Sequence, residues 1–573
     1  MFKKGVRFDF WNFVGIVSIV FFGMFLIIPV GRMLIFSFQT TEGAGFSLDN
    51  FVKFFSRPYY STALKNSLVV VLSATILVTL IGVPLAYITT NFKIKGRRIV
   101  DILIIISMLS PPFLGAYSWI LMLGRNGVIT NFFKAVFGIK MPSIYGFGGI
   151  LLVFTLKLFP YIYMYTKGAL KKVDASLGEA AESLGYHGFR KVFKVSLPLV
   201  LPTILAGGTI VFLRAFADYG TPRLIGEGYS TLPVIIYQEW VSETGTNAYF
   251  ASAVAMIMMA VAAIVFSVQK YISNRKNYTM SMLNPPKAKQ LTGISNLLAH
   301  GYVYLIVFLA TLPQVYIIAI SFRNTNGIMW TEGYGLGNYT TVFKKSLNSI
   351  GNTFKFAIIA IIIVIVLGTL FAYLTVRRKN LLSKLLDVFI MFPYVIPGTI
   401  FGLILLMSYN QPPMVLSGTA AIIIISYVVR RMPYTVRSSA AILRQISPSI
   451  DEASASLGYG SMQTFFQVTM PVMVPGIVSG AILSWITIIN ELSSTLMLYT
   501  GKTQTMTVTI FQEISREDPG TVPDSWDLEM ERLSFSPIRG WLRGFIDLVF
   551  VIDGRYYLLD WKSNFLGADP SGY

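Results

Sequence analysis

Long stretches of apolar residues alternate with short polar segments along most of this chain of 573 residues. Each stretch is about 20 residues or longer, the length that an α-helix needs to cross the hydrocarbon core of a bilayer. A half-buried strand would instead show a short, alternating pattern. The pattern therefore predicts an all-α polytopic membrane protein with about eleven spans. They lie near 12–36, 66–90, 100–123, 147–167, 200–217, 249–271, 299–321, 354–376, 385–408, 415–434 and 473–498.

The polar segments differ in charge according to their position in this order. Those after the even-numbered spans are rich in Lys and Arg, whereas those after odd-numbered spans hold acidic and glycine-rich stretches such as TTEGAG and SETGTN. Because basic loops tend to stay in the cytoplasm, we expect the even-numbered loops and the N-terminus to be cytoplasmic. The basic residues are Lys93, Lys95, Arg97, Arg98, Lys171, Lys172, Arg190, Lys191, Lys194, Arg275, Lys276, Lys287, Lys289, Arg377, Arg378, Lys379 and Lys384.

The second half of the chain repeats the first. The segment GEAAESLGYHGFRKVFKVSLPLVLP recurs as DEASASLGYGSMQTFFQVTMPVMVP, so that Glu179 and Glu452 are equivalent at an offset of 273 residues. Upstream, Asp101 matches Asp387 at an offset of 286, which places one insertion in the first half near 124–146. A fixed offset over such distances indicates an internal duplication.

Composition supports the membrane interpretation and excludes several kinds of site. Hydrophobic residues make up 54% of the chain and charged residues only 13%, against about 25% charged in a soluble domain. The net charge of +20 could indicate nucleic-acid binding, but the basic residues lie between apolar runs, and no nucleic-acid partner is expected. The absence of Cys excludes thiol catalysis, and two His make a His-rich metal site improbable.

The repeated segment resembles the EAA motif of ABC importer permeases. In that motif an E-A-A triplet is followed after three residues by Gly and later by Leu-Pro. The matching residues in the first copy are Glu179, Ala180, Ala181, Gly185, Leu197 and Pro198, and in the second Glu452, Ala453, Ser454, Gly458, Met470 and Pro471. The resemblance implies two tandem permease repeats of the six-helix type, each with a cytoplasmic loop that docks on an ATPase subunit.

The same resemblance implies the partners of the chain. It implies ABC ATPase subunits, as a homodimer, an extracytoplasmic substrate-binding protein, and residence in the inner membrane of a bacterial cell. No cofactor is expected in the permease. Gly501-Lys502-Thr503 has the end of a phosphate-binding loop, but Leu496 stands where its first Gly is required. The chain is therefore expected to be the pore subunit and not an enzyme.

Four ionisable residues fall within or at the ends of predicted spans. Lys157 is equivalent to Arg430 and Asp218 to Glu491, each at the offset of 273 residues. Charges in a membrane are costly and often mark a transport pathway. They also serve as ion pairs that hold helices together. The sequence leaves both interpretations open.

Tandem permeases of this kind most resemble the ferric-iron importer group. Relatives that carry thiamine, phosphonate, polyamine or sulfate are alternatives, and a secondary transporter with duplicated halves is another. We expect ferric iron to be the substrate.

The last part of the chain does not continue the pattern. The expected twelfth span is lacking, and residues 518–573 resemble the PD-(D/E)xK nuclease domain of RecB-type subunits. GFIDLVF and GRYYLLDWKSN predict two adjacent strands that carry Asp547, Asp560 and Lys562, of which the two carboxylates could hold Mg²⁺. Other parts of that domain are missing, so the fragment is expected to be inactive; an exodeoxyribonuclease V-type activity is the alternative. The predicted domains are 1–290 and 291–517, two permease halves, and 518–573, a short α+β fragment.

Overall fold

Apolar runs become helices because a backbone in lipid can satisfy its N–H and C=O groups only within its own segment. The computed structural model describes residues 9–40, 45–241, 247–275, 288–326, 329–378, 380–516, 548–552 and 555–559. The chain divides into two units, residues 1–520 and 521–573. The first unit contains the helices.

The helices of the first half are α1 Phe10–Phe22, α2 Ile28–Ser37, α3 Asp49–Ser56, α4 Pro58–Asn91, α5 Arg97–Leu109, α6 Pro112–Leu123, α7 Val128–Phe137, α8 Phe147–Leu170, α9 Ala175–Ser183, α10 Gly188–Lys191, α11 Leu197–Phe216, α12 Gly220–Ile225, α13 Leu232–Val241 and α14 Ala248–Arg275. Those of the second half are α15 Gly293–Ser321, α16 Gly337–Lys345, α17 Leu347–Arg377, α18 Leu381–Val395, α19 Gly398–Ser408, α20 Ala420–Leu443, α21 Ser449–Ser456, α22 Ser461–Thr464, α23 Met470–Ile489, α24 Thr495–Leu498 and α25 Met506–Arg516. Short π-helical segments, Gly23–Ile27, Val192–Ser196 and Phe465–Thr469, join α1 to α2, α10 to α11 and α22 to α23.

In the described part of the chain, eight helical segments are long and apolar enough to cross a membrane. They are Phe10–Ser37, Pro58–Asn91, Phe147–Leu170, Val192–Phe216, Ala248–Ile272, Gly293–Ser321, Leu347–Arg377 and Ser461–Ile489. All eight correspond to predicted spans.

Two further predicted spans, 100–123 and 385–408, are each broken into two helices. The angle between α5 and the helices after it is 99°, and the angle between α18 and α19 is 112°. Ser110 and Ile396, which precede prolines, have extended backbone, because proline disfavours the helical conformation of the residue before it. The sequence predicted one span at each of these two places. Counting each bent pair as one span gives ten.

The remaining predicted span, 415–434, corresponds to α20. This helix has 24 residues and is long enough to cross, but it carries Arg430, Arg431 and Arg437. The three arginines exclude α20 from the helices that are apolar enough, so the predicted count of about eleven exceeds the structural count of eight to ten.

Up to α13 in the first half and α25 in the second, the two halves have the same order of helices, apart from α7. The bounds of α20 and α23 are those of α8 and α11 shifted by 273 residues, and the π-helical segments that precede α11 and α23 obey the same shift. Helix α7 lies in the predicted insertion and has no counterpart among the described helices. The internal duplication predicted from the sequence is confirmed.

In each half three long helices pack together, α4, α8 and α11 in the first and α17, α20 and α23 in the second. Repeat-equivalent glycines lie at these contacts: Gly82 matches Gly368, and Gly207 matches Gly480. A Cβ at Gly368 would lie 3.1 Å from Thr435 Cγ2, and a Cβ at Gly480 would lie 2.7 Å from Thr435 Cα. Small residues thus let the helix backbones approach closely, as is common in membrane bundles.

The first helix of each half packs against the other half. Trp11 of α1 stacks on Tyr373 of α17 with ring centroids 4.2 Å apart. In the opposite direction, the Tyr302 hydroxyl of α15 donates a hydrogen bond of 2.9 Å to the carbonyl oxygen of Ile81 in α4. The halves are therefore interleaved rather than merely adjacent.

Two strand pairs complete the described structure. Strands β1 Arg323–Asn326 and β2 Met329–Tyr334 form an antiparallel hairpin between α15 and α16, which the sequence did not predict. Strands β3 Leu548–Ile552 and β4 Arg555–Leu559 of the second unit pair antiparallel, where two adjacent strands were predicted. Residues 517–547, in which a twelfth span was expected to be lacking, lie outside the described residues.

Candidate functional site

The residues predicted to couple to an ATPase lie on two short, repeat-equivalent helices, α9 and α21. Asp174 caps the start of α9, where its Oδ1 accepts a hydrogen bond of 2.9 Å from the Ser176 N–H. The first two residues of each triplet, Glu179 with Ala180 and Glu452 with Ala453, are exposed.

The third residue of each triplet faces inward. Ala181 and Ser454 are both 4% exposed, and the Ser454 hydroxyl lies 2.9 Å from that of Thr464. Each triplet therefore presents a carboxylate and a small side chain outward from an anchored helix.

The predicted glycines end these helices. Gly185 and Gly458 have φ angles of +83° and +89°, a left-handed conformation that favours glycine. The following N–H groups bond back into the helix: Tyr186 donates to the Ala181 carbonyl at 2.9 Å, and Tyr459 donates to the Ser454 carbonyl at 3.2 Å. The chain thus reverses in the same way in both halves.

The sequence reasoning missed two exposed apolar side chains on these loops. Leu184 is 77% exposed and its repeat equivalent Leu457 is 79% exposed. The aromatic rings of Tyr186 and Tyr459, two residues further on, are also exposed. An exposed apolar patch is typical of a surface that binds another protein. The signal in the sequence is the tetrapeptide Ser-Leu-Gly-Tyr, identical in both copies.

Different ion pairs hold the two loops. Glu182 Oε1 accepts from Lys191 Nζ at 2.9 Å and from Lys289 Nζ at 3.0 Å. These ammonium groups, chiefly that of Lys191, lower the pKa of Glu182 to about 2, so this carboxylate stays ionised at neutral pH. In the second loop Asp451 pairs with Arg377 at 2.8 Å.

The predicted intramembrane charges form a buried polar cluster. Glu491, which is 4% exposed on its side chain, accepts from Arg430 NH1 at 2.5 Å and also pairs with Arg431. Its Oε1 accepts a further hydrogen bond of 3.1 Å from the Ser494 N–H. The structure thus brings together two of the four predicted residues, Arg430 and Glu491.

Their repeat equivalents, Lys157 and Asp218, form no ion pair within the described residues. The Lys157 ammonium donates to Ser110, to both its carbonyl oxygen and its hydroxyl, the latter at 3.0 Å. Asp218 Oδ1 accepts from the Thr221 N–H at 2.8 Å, as Glu491 accepts from Ser494. Asp218 thus bonds a backbone N–H in the first turn of α12, and Glu491 bonds one just before α24.

Arg214, which the sequence analysis did not single out, lies in the same cluster. Its NH2 donates a hydrogen bond of 2.8 Å to the Tyr434 hydroxyl of α20, and its guanidinium carbon lies 4.5 Å from the ring centroid of Tyr161 in α8. Its equivalent in the second half is Thr487. Since no second copy carries this charge, the comparison of repeats that revealed the other residues could not reveal it.

The predicted nuclease-like residues Asp547, Asp560 and Lys562 lie outside the described residues. Within the described ranges no group of three or more His, Cys, Asp or Glu side chains is placed to hold a metal ion. The resemblance of this segment to a nuclease stays a prediction.

Comparison with known proteins gives one family. The family described as "Binding-protein-dependent transport system inner membrane component" matches residues 78–278 and 364–519, once in each half. A ferric transport system permease protein of Actinobacillus pleuropneumoniae is 28% identical over 529 residues, covering 90% of this chain and 75% of the relative. A putative ferric transport system permease protein of Haemophilus influenzae is 28% identical over 513 residues, 87% of this chain and 79% of the relative.

A shorter match covers about a third of this chain. A probable molybdenum ABC transporter permease protein of Haloferax volcanii is 31% identical over 206 residues, which is 36% of this chain and 73% of that protein.

Proposed function

Since the chain belongs to the family of binding-protein-dependent transport system inner membrane components, and is thus a multi-pass ABC importer permease, we propose that it carries ferric iron with energy from a partner ATPase. Coupling to an ATPase is supported by the pair of equivalent exposed surfaces on α9 and α21. The assignment of ferric iron as the substrate is supported by the similarity to two ferric permeases over most of the chain.

The ATPase subunits bind the surfaces formed by Glu179, Ala180 and Leu184 and by Glu452, Ala453 and Leu457. Leu184 and Leu457 supply apolar area that is favourable to bury, and the small alanines allow close approach. Two equivalent surfaces suit two identical ATPase subunits. Movement of these loops reaches the membrane directly, because each continues through a π-helical segment into α11 or α23.

The coupling loops face the cytoplasm, and so does the N-terminus. The basic residues around them support this orientation by the positive-inside rule. The extracytoplasmic binding protein then meets the opposite face, on which the β1–β2 hairpin and the insertion helix α7 lie. The membrane is the bacterial inner membrane.

Cross-linking tests the coupling surfaces. The chain has no cysteine, so Leu184→Cys and Leu457→Cys each give one attachment point for a thiol-reactive photo-cross-linker. Both variants, purified with the ATPase, should cross-link to it. Ile76→Cys is the matched control, because Ile76 is exposed on the membrane helix α4. Equal cross-linking from Ile76→Cys, or none from both loop variants, would show that these loops are not the docking surfaces.

Uptake measurements test the substrate and the energy source. Cells or proteoliposomes with the chain, its ATPase and its binding protein should accumulate radioactive ferric iron only with hydrolysable ATP. Excess thiamine, 2-aminoethylphosphonate, spermidine or sulfate should not compete. Competition by one of these would reassign the substrate, and uptake driven by an ion gradient without the ATPase would indicate a secondary transporter.

A further inference from the structure

Arg214 lies where the two halves face each other. Its guanidinium contacts Tyr161 of the first half and Tyr434 of the second, which are equivalent positions 273 residues apart. A group that touches both members of an equivalent pair lies close to the axis that relates the repeats. The interface between repeats is where transporters place their substrate pathway.

The charge of this region is unbalanced. Lys157, Arg214, Arg430 and Arg431 bring four positive charges, whereas Asp218 and Glu491 bring two negative charges. Glu491 is shared by two arginines, so neither is fully neutralised. Among the described residues, Arg214 has no carboxylate partner and relies on a hydroxyl and an aromatic ring.

The hydrogen-bonding capacity of the arginines is also incompletely used. The Nε atoms of Arg214, Arg430 and Arg431 are buried, and no described residue accepts a hydrogen bond from them. A buried donor without an acceptor destabilises the protein, and an uncompensated charge in a membrane does so more strongly. Tight helix packing does not require this arrangement, because the second half has Thr487 where the first has Arg214.

We propose that Arg214, with Arg430 and Arg431 beside it, binds an oxyanion group on the substrate as it passes between the halves. The planar guanidinium matches the oxygens of a phosphate or carboxylate group, and its Nε–H and NH2 groups can donate in parallel. Tyr394, whose ring centroid lies 6.0 Å from that of Tyr434, adds a hydroxyl group to the same region. This inference rests on the proposed function, and it means that ferric iron crosses together with an anion.

Binding of inorganic phosphate to the purified full chain tests the site without any need for transport. We expect saturable binding of radiolabelled phosphate that weakens at least about tenfold in Arg214→Gln and about threefold or less in Arg214→Lys. Arg125→Gln is the control, because Arg125 pairs with Glu227 on the exposed surface and should bind like the unmodified chain. Unchanged phosphate binding in a folded Arg214→Gln variant would overturn the proposal.

A second variant keeps the test decisive if Arg214→Gln does not fold. Tyr434→Phe removes the acceptor of the Arg214 hydrogen bond and should tighten phosphate binding by about threefold. If Arg214 only holds the halves together, the same change would leave phosphate binding unaltered and lower the melting temperature alone, which would overturn the proposal.

Transport with two labels separates the inference from the proposed function. Proteoliposomes given radioactive iron and phosphate should take up both labels in a fixed ratio, and Arg214→Gln should reduce both together by about tenfold. Phosphate uptake without iron would support the anion site and contradict ferric iron as the substrate. Iron uptake in which neither phosphate nor Arg214 matters would overturn the anion site and leave the ferric permease.

Discussion

Glu491 is the residue on which the buried charges of the second half depend. Its carboxylate meets the guanidinium groups of Arg430 and Arg431 and also accepts a hydrogen bond from the Ser494 N–H, just before α24. The equivalent Asp218 accepts a hydrogen bond from the Thr221 N–H and forms no ion pair within the described residues. The two carboxylates are equivalent in the repeat, but Glu491 pairs with two guanidinium groups and Asp218 pairs with none in the described residues.

Glu491→Gln should destabilise the protein strongly and abolish uptake. An amide leaves two buried guanidinium groups without a counter-charge, and breaking a buried ion pair in this way costs about 3–5 kcal/mol. Asp218→Asn should cost far less, because its amide oxygen can still accept from Thr221. Thermal unfolding in detergent compares the two variants, and unchanged ferric uptake by normally expressed Asp218→Asn would refute a pathway role for Asp218.

Sequence reasoning found the members of this cluster that occur twice. Lys157, Asp218, Arg430 and Glu491 were visible because each is an ionisable residue in an apolar run with an equivalent charge in the other half. Which of them would meet was not visible, since that depends on how α20 and α23 are rotated. Arg214 carries no repeat signal at all.

At the scale of elements, equivalent helix contacts differ in how well they tolerate an added side-chain atom. A Cβ at Gly480 would meet backbone, Thr435 Cα at 2.7 Å, whereas a Cβ at Gly207 would meet side-chain atoms, the closest being Ile162 Cδ1 at 3.2 Å. A side chain can rotate away, but a helix backbone cannot.

Gly480→Ala should therefore destabilise the protein more than Gly207→Ala. Overpacking a well-packed contact costs about 1–3 kcal/mol, and we expect the cost at Gly480 to lie at the upper end and that at Gly207 near the lower end. Melting temperatures of the two variants, with Gly168→Ala as the control, give the comparison. Gly168 suits this role because a Cβ there would meet nothing within 4 Å. Equal losses at both sites would contradict the assigned contacts.

Helix positions were predictable from apolar length, but their interruptions were not. The bends before Pro111 and Pro397 had a signal, since both prolines occur at equivalent positions. Proline alone did not suffice, because Pro84, Pro160 and Pro433 lie inside continuous helices. A proline frees backbone groups that neighbouring helices must satisfy, and those neighbours are distant in sequence.

At the scale of the molecule, the interleaved first helices join the halves. Asp9, at the start of α1, pairs with Arg378 at 2.7 Å, across 369 positions of sequence. No local pattern can predict a contact of this kind. The sequence repeat showed that there are two halves. Only the structure shows that the first helix of each half packs against the other half.

Two separately expressed polypeptides, residues 1–290 and 291–573, should therefore copurify. Trp11→Ala should weaken this association, because Trp11 is 1% exposed and packs on Tyr373 and Phe465. Truncation of a buried Trp costs about 3–5 kcal/mol. Affinity purification through a tag on one polypeptide measures recovery of the other, with Phe13→Ala, an exposed position on the same helix, as the control. Failure of the unmodified pair to copurify would mean that the interleaving does not hold the halves.

The single arginine at the meeting point of the halves also bears on why both are joined in one polypeptide. A pair of identical subunits would place Arg214 there twice, and two guanidinium groups would repel each other across the axis. With the subunits fused, selection can alter one side alone, and the equivalent position can become Thr487. Duplication followed by fusion thus allows a charge on a twofold path that has no counterpart in the other half, which an assembly of identical subunits cannot have.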